Sequence, residues 1–361
     1  MRIALLIERF APAGGAERAC AALARGLVSR GHEVHVFARW IEPLPGIIPR
    51  PVRAGGLFPR QAFARRTRLL VERERFDIVH SFTRTPRQDV LRLGGGIHRE
   101  YLAQTEDQYP LLGRLWRKIR PRERIELSLE AESLASGAYR KIVAVSRRVR
   151  EEAVRHYGVR PEDVEVIYNG VDASAFQVPA ETRAEVRREL GLGGEDYVLL
   201  FCGSGFRRKG LRYAVAAVDA VPRARLLVAG QGRGPAHPRV RYLGRRPDVA
   251  RLYAAADALI LPTLYDPFPN ACLEAMAAGR PVIVSRIAGV SEIIEGDSVV
   301  VEEPRDTAAL AAAVRSLEDP ALRGALGEAA RRRALQFTPA RHLEENLRLY
   351  AALVDKGRDS P

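Results

Sequence analysis

Two carboxylates and a pair of adjacent cations are the residues of this 361-residue chain most able to do chemistry. Asp266 and Glu274 sit in the run Tyr265–Asp266–Pro267–Phe268–Pro269–Asn270–Ala271–Cys272–Leu273–Glu274, which continues through Ala275–Met276–Ala277–Ala278–Gly279–Arg280–Pro281–Val282. A strand ends near Leu261, and the loop after it holds two prolines and an acid. Asn270 can cap the helix that begins there, and the first turn of a helix can face an anion. Glu274 falls about one turn in and leans back toward the N-terminal end, as helical side chains do. Asp266 lies outside the helix, so the two acids do not share a helix face. They can bracket one ligand at the helix start, one acid on a ribose and the other on a sugar ring. A capped surface helix with incidental acids is the plainer alternative, and so long and specific a run argues against it.

The cations lie in Gly203–Ser204–Gly205–Phe206–Arg207–Arg208–Lys209–Gly210, directly after an apolar strand, Val198 to Cys202. Positive charge at a strand's carboxyl end, just before a helix, can neutralise a diphosphate leaving group. A solvated basic loop reads the same way. A second glycine turn, Pro12–Ala13–Gly14–Gly15–Ala16–Glu17, lets backbone approach a diphosphate or a sugar at a helix start. It is not the dinucleotide fingerprint, and any tight strand-to-helix turn uses glycines too.

These loops need strands and helices to hold them. Ile3–Ile7, Glu33–Phe37, Phe76–His80 and Lys141–Val145 read as strands, with a helix from Ala16 to Arg30 stopped by Gly31. The pattern restarts after Tyr168–Asn169–Gly170–Val171–Asp172. Val198–Cys202, Arg225–Ala229, Val240–Leu243, Ala258–Leu261, Pro281–Ser285 and Val299–Val301 then read as strands, with helices from about Gly210, over Asp248–Ala256 and over Asn270–Ala278. Alternation of this kind predicts α/β units, each a parallel sheet covered on both faces. The expected division is a domain over 1–168, a second over 169–338, and a helix and tail over 339–361. Open parallel sheets bind ligands at the carboxyl ends of their strands, so two such domains would form a cleft lined by those loops.

Composition narrows the partners. The net charge is +14, nearly all from arginine, with a pI near 10.2. Arginine binds phosphate through two hydrogen bonds at once, which suits a phosphate-bearing partner; the codon bias of a GC-rich genome gives the same excess. Cys20, Cys202 and Cys272 are odd in number and far apart, against a disulfide framework or a zinc site and in keeping with a reducing cytosol. MRIALLIERF does not read as a signal peptide, since Glu8 and Arg9 interrupt its apolar run. No stretch approaches the ~18 apolar residues that span a bilayer. A basic nucleic-acid-binding protein would need interleaved aromatics or a known module, and neither is present; no nucleic-acid partner is expected.

With these residues in view, the chain resembles the retaining GT-B glycosyltransferases of family 4, whose E-x7-E motif is matched here with aspartate in the first acidic place. YDPFPNACLEAMAAGRPV is most like the branch of lipopolysaccharide core glucosyltransferases. The resemblance covers nearly the whole chain, through Gly14–Gly15, Val145–Ser146, Val166–Ile167–Tyr168–Asn169–Gly170–Val171–Asp172, Arg208–Lys209–Gly210, Gly230–Gln231–Gly232 and Gly289 with Glu292. It departs from relatives at Ser204, Ala175, Ala19 and Gly95.

The resemblance implies two Rossmann-like domains, with the C-terminal helix crossing back to the N-terminal domain. The N-terminal domain would bind the acceptor and the C-terminal domain the nucleotide sugar. A hexose would pass from a nucleotide diphosphate sugar, UDP-glucose first among them, to a lipid-linked or lipopolysaccharide-like glycan with retention of configuration. Gly14, Gly15, Arg208, Lys209, Gly230, Phe268, Pro269, Asn270, Ala271 and Glu274 would hold the donor. Asp266 would orient sugar hydroxyls. His98, after Gly94–Gly95–Gly96–Ile97, falls where the family often has an active-site histidine; His80, at the end of a strand, competes for that role. No DxD sequence is present, and no metal or other cofactor is expected. The rival enzyme class is a nucleotide-sugar epimerase or phosphorylase on a similar fold.

Pro110–Leu111–Leu112–Gly113–Arg114–Leu115–Trp116–Arg117–Lys118–Ile119–Arg120–Pro121–Arg122 joins apolar side chains and a tryptophan to dense positive charge. Phe58 to Arg75 adds Arg60, Arg65, Arg66, Arg68, Arg73 and Arg75. Interfacial segments are built this way, so the expectation is a cytoplasmic protein peripheral on the anionic inner face of the cytoplasmic membrane. The alternative is a pair of ordinary helices with Leu111, Leu115 and Trp116 buried.

Overall fold

The structure is a computed structural model that describes residues 1–11, 14–294 and 296–358, with side chains at all of these but 118 and 356–358. Pro12 and Ala13 of the first glycine turn lie outside the described residues. The chain forms two compact units, one of Met1–Gly170 with Pro339–Pro361, the other of Val171–Thr338.

In the first unit the strands are β1 (Arg2–Leu6), β2 (Arg9–Phe10), β3 (Glu33–Ala38), β4 (Trp40–Ile41), β5 (Ile47–Pro51), β6 (Ile78–Ser81), β7 (Val90–Leu93), β8 (Lys141–Ala144) and β9 (Val164–Val166). Seven of them make one parallel sheet in the order β5-β3-β1-β6-β7-β8-β9, while β2 and β4 pair separately beyond the carboxyl ends of β1 and β3. Ile3, Ala4, Leu5 and Leu6 are all fully buried, as an apolar run in a sheet covered on both faces must be. The helices are α1 (Gly15–Ser29), α2 (Pro59–Val71), α3 (His98–Gln104), α4 (Leu111–Ile119), α5 (Pro121–Leu134) and α6 (Arg147–Tyr157).

The C-terminal helix, Pro339–Arg358, belongs to this unit. Leu343, Leu349, Tyr350 and Leu353 join Ile3, Leu5, Leu23 and Leu27 in one core. Full burial of a leucine side chain contributes about 1.5–3 kcal/mol, so the helix is held by packing. Tyr350 also shares a 2.5 Å hydrogen bond with Nδ1 of His80.

The second unit has α7 (Thr182–Glu189), β10 (Tyr197–Cys202), α8 (Leu211–Asp219), β11 (Ala224–Ala229), β12 (Val240–Gly244), α9 (Val249–Ala255), β13 (Ala258–Leu261), α10 (Asn270–Ala277), β14 (Val282–Ser285), β15 (Val299–Val301), α11 (Thr307–Ser316) and α12 (Pro320–Ala334). Its six strands run parallel in the order β12-β11-β10-β13-β14-β15. The order reverses at β10, and the loops after β10 and β13 therefore leave the sheet side by side. That reversal is where an open parallel sheet offers a crevice.

Candidate functional site

At the carboxyl ends of β10 and β13 the structure brings together residues distant in sequence. The ammonium of Lys209 lies 2.8 Å from Oδ2 of Asp266, and Nη1 of Arg208 lies 3.1 Å from the same oxygen. Arg208 also donates to the Tyr265 carbonyl at 2.7 Å, and Leu264 N–H donates to the Arg208 carbonyl at 2.8 Å. The loops are thus tied by backbone as well as charge. Burial acts to raise the Asp266 carboxyl, but Lys209 and Arg208 outweigh it and hold the group below the usual aspartate value. Asp266 adds a bridge to Ala288 and accepts from Gly289 N–H at 3.0 Å, which joins the loop after β14 to the same place.

Gly203 explains how Lys209 gets there. It sits at φ 128, and a Cβ on it would fall 2.7 Å from Cε of Lys209. Gly230, after β11, packs so closely on this loop that a Cβ would lie 2.2 Å from the Gly203 carbonyl oxygen. A side chain at either position would push the basic loop off its seat.

Pro269 takes the cap position of α10, and Asn270 is the first helical residue. Expectation had Asn270 as the cap; the fixed φ of proline suits the cap's extended backbone and moves the start by one. Asn270 and Ala271 are half-buried, and Phe268 and Pro269 are buried. Glu274 is buried, and its Oε2 accepts a 3.0 Å hydrogen bond from the hydroxyl of Tyr253. That hydroxyl also lies 3.1 Å from the Ala271 carbonyl. Tyr253 on α9 is fully buried and carried no signal in the sequence beyond an apolar helix face.

In the first unit, Gly14 precedes α1 at φ 108 and Gly15 is its first residue. Nearby a cleft of about 410 Å³ is lined by Glu8, Arg9, Glu17, Arg84, Arg92 and Gly95 among others. Arg84 donates to Glu130 at 2.6 Å, and Glu130 also accepts from the backbone N–H of His98 at 2.6 Å and the hydroxyl of Tyr157 at 2.6 Å. Glu130 is fully buried and fixes the turn that carries Gly95–Gly96. His98 starts α3, and its Nε2 lies 2.6 Å from Oε2 of Glu123. His80 is fully buried, stacked on Phe82 and bonded to Tyr350; burial drives its pKa well below the usual imidazole value. The two candidate histidines therefore differ: His98 is a partly exposed imidazole oriented by a carboxylate, and His80 a neutral core group.

Helix α4 has an inverted surface. Leu111, Leu112, Leu115, Trp116 and Ile119 are 79%, 81%, 62%, 61% and 60% exposed. Arg117, in contrast, is buried, its guanidinium between the rings of Tyr101 and Tyr109 at 4.9 and 4.7 Å and donating to Oγ1 of Thr105 at 2.9 Å. This removes the ordinary-helix alternative, which required the leucines and the tryptophan inside. It also corrects the assignment of Arg117 to the outer charge: stacked and hydrogen-bonded, it anchors the helix. On α2, Arg60 pairs with Glu8 and Glu126, and Arg68 with Glu72, so part of that charge is used internally. Among the described residues no helix is long and apolar enough to cross a membrane, and no group of three or more His, Cys, Asp and Glu could hold a metal ion.

Comparison with known proteins follows the same division. Residues 13–175 match the family model described as Glycosyltransferase Family 4, and residues 196–319 that described as Glycosyl transferases group 1. The chain is 32% identical over 375 residues to a probable transglycosylase of Burkholderia thailandensis, covering 99% of each. It is 26% identical over 328 residues to the lipopolysaccharide glucosyltransferase WaaG of Escherichia coli, covering 84% of this chain and 86% of that one. Among solved structures, WaaG, a glycosyltransferase involved in lipopolysaccharide biosynthesis, superposes with a TM-score of 0.79 at 24% identity over 92% of this chain and 95% of the other. Anabaena Alr3699/HepE in complex with UDP-glucose gives 0.75 at 18% identity over 98% and 100%. Both structural likenesses speak to the fold, two Rossmann-like α/β domains of the GT-B type.

Proposed function

The chain belongs to the family 4 glycosyltransferases, and on that premise we propose that it transfers a hexose from a UDP-sugar, UDP-glucose foremost, to a lipid-linked or lipopolysaccharide-like glycan with retention of configuration. The observation that carries the donor half is the cluster of buried Lys209 and Asp266 with half-buried Arg208 beside the start of α10, with Glu274 one turn in. Two cations on one carboxylate leave hydrogen-bond donors over for a diphosphate, and the positive end of the α10 dipole adds to them. Glu274, held by Tyr253, accepts from the ribose. Asp266 accepts from sugar hydroxyls. Phe268, Pro269, Asn270, Ala271 and Gly230 shape the donor pocket, and Gly14 and Gly15 are assigned to donor binding as well.

In the transfer, the bond from the sugar's anomeric carbon to the diphosphate oxygen breaks and a bond to the acceptor oxygen forms on the same face. The acceptor's proton goes to the departing phosphate oxygen. Lys209 and Arg208 stabilise the charge that grows on the leaving group, the step at which fixed charge contributes most. His98, oriented by Glu123, holds the sugar. The UDP-glucose held by HepE, a protein of the same fold, supports this donor, and the name of the Escherichia coli relative supports the acceptor class.

The exposed face of α4 supports membrane docking. Five apolar side chains in one stripe flanked by exposed Arg120, Arg122 and Arg124 fit an anionic lipid surface, where each cation contributes about 1 kcal/mol, screened by salt. Two experiments test the reading. Melting curves with UDP-, GDP- and ADP-sugars should rise with the UDP-sugar, since a ligand of the folded state alone stabilises it. Co-sedimentation with anionic vesicles at low salt should be lost at high salt and lost on changing Leu112 and Trp116 to Ser. No rise with any UDP-sugar, or no binding to anionic vesicles, would remove the corresponding half.

A further inference from the structure

Three neighbouring strands of the first unit, β1, β3 and β5, each leave the sheet into an arginine. Beyond β1 comes Arg9, directly after β3 comes Arg39, and after β5 comes Arg53. The strands are hydrogen-bonded neighbours, and the ladder continues past their ends: Arg39 N–H donates to the Glu8 carbonyl at 3.0 Å and Val52 N–H to the Ala38 carbonyl at 2.8 Å. Arg9 and Trp40 are register partners in the short β2-β4 pair. Trp40 is 61% exposed. Together Glu8, Arg9, Arg39, Trp40, Val52 and Arg53 line a pocket of about 490 Å³.

Most of the charge in this pocket is not spent; only Arg39 acts on a carboxylate of the lining, Glu8, and does so through space. Among the described residues, the guanidinium groups of Arg9, Arg39 and Arg53 make no side-chain hydrogen bond or ion pair. Glu8 is the one carboxylate of the lining, and its salt bridge runs to Arg60 at 3.2 Å. An exposed indole offers a flat apolar face, which suits the C–H face of a pyranose ring. Three guanidinium groups with their hydrogen-bond donors unused suit a dianion, since each can give a phosphate two parallel hydrogen bonds. Neither feature alone marks a site; their meeting at the carboxyl ends of three parallel strands, in one pocket, does.

We propose that this pocket is a sugar-phosphate subsite: Trp40 stacks on a pyranose ring, and Arg9, Arg39 and Arg53 hold a phosphate carried by that ring. Glu8 and Arg9 also line the cleft beside Gly95–Gly96, so the two pockets adjoin within the unit. One glycan can reach across both, its reacting hydroxyl in the cleft and its phosphorylated residue on Trp40. The inference rests on reading that cleft as the acceptor site, and it narrows the acceptor to a phosphorylated glycan.

The chain has two tryptophans, so Trp116→Phe leaves Trp40 as the only one. Its emission is followed while a hexose 6-phosphate, the parent hexose and inorganic phosphate are titrated in, with UDP binding measured by calorimetry on the same protein. The expected result is a saturable change with the hexose phosphate, none with the neutral hexose, and affinity for inorganic phosphate about ten-fold or more weaker. Changing Arg39 and Arg53 together to Ser should weaken the hexose phosphate by about ten-fold or more, with melting temperature and UDP affinity unchanged. An emission that ignores the hexose phosphate, an equal response to the neutral hexose, or a double variant that binds like its parent would overturn the subsite. Loss of UDP binding with an intact Trp40 response would instead strike the donor reading and leave the subsite standing.

Discussion

Lys209 and Asp266 stand 57 residues apart in the chain, and their side chains meet at 2.8 Å in the interior of the second unit. A buried pair of this kind is costly to break from one side, because the remaining charge is left without its partner. Here the cost is shared, since Arg208 stays 3.1 Å from the same carboxylate oxygen.

The first prediction follows from that pairing. Lys209→Ala should destabilise the second unit by about 2–4 kcal/mol, short of the full cost of an orphaned buried carboxylate. Lys209→Ala with Asp266→Asn should cost less than the sum of the two single changes. Urea denaturation of the four proteins completes the cycle. Strict additivity would mean that the two side chains do not interact in solution.

The Asp266 pair also sets a pH dependence. A carboxyl held below its unfolded value contributes stability that is fully present above that value, about 3.9, and is lost as pH falls through the lower folded value. Acting oppositely in origin but in the same direction, burial pushes His342 down to about 3 and keeps His80 neutral. The unfolded chain binds those protons from about pH 6.5 downward and the folded chain does not, so the first unit should lose stability as pH falls from about 6.5 toward 3. Urea midpoints from pH 8 to pH 4 should fall by a smaller amount in His342→Leu than in the parent. Parallel curves would show that His342 is not buried in its neutral form.

Tyr253→Phe tests how Glu274 is held. The hydroxyl donates to Glu274 at 3.0 Å, and its loss frees a carboxylate assigned to the ribose. Losing one hydrogen bond to a charged group costs about 1.5–3 kcal/mol, so donor KM should rise by about ten-fold or more while kcat holds. Glu274→Gln should move KM in the same direction. Asp266→Asn should instead lower kcat, because a misplaced sugar costs rate even when affinity survives. Unchanged KM in both Tyr253→Phe and Glu274→Gln would make this pair structural.

His98 and His80 separate by phenotype. His98→Ala should lower transfer by about 100-fold or more and leave UDP affinity within a few-fold, as removal of a positioned acid–base or binding imidazole does. His80→Ala should lower the melting temperature by emptying a core position next to Phe82 and Tyr350, with the transfer rate of the folded protein preserved. The reverse pattern would give the active-site role to His80.

What the sequence made legible was whatever burial and local chemistry decide together. The apolar strands β1, β3, β10, β11 and β13 are buried on both faces and read as such, and with them the parallel α/β class. β5 did not: Ile47–Pro51 holds two prolines, tolerable because it is the edge strand of its sheet. β7 was hidden by Arg92, whose buried guanidinium reads as surface charge until its bond to Asn169 at 2.5 Å is seen. In the candidate site the residue types were visible, but the partnerships were not. Lys209 with Asp266, Tyr253 with Glu274 and Glu130 with the backbone of His98 all close across long stretches of chain, which no local pattern encodes. Arg117 shows the same limit from the other side: in a basic helix it is indistinguishable from its neighbours, and only the rings of Tyr101 and Tyr109 mark it as the one turned inward.

The most direct test of the account is calorimetric titration of UDP and of uridine into the parent protein and Lys209→Ala. If the cluster at the ends of β10 and β13 holds the donor diphosphate, the parent should bind UDP far more tightly than uridine. The variant should then lose about 1.5–3 kcal/mol of UDP affinity, a factor of ten or more, with uridine unchanged. Equal affinity of parent and folded variant for UDP would contradict it.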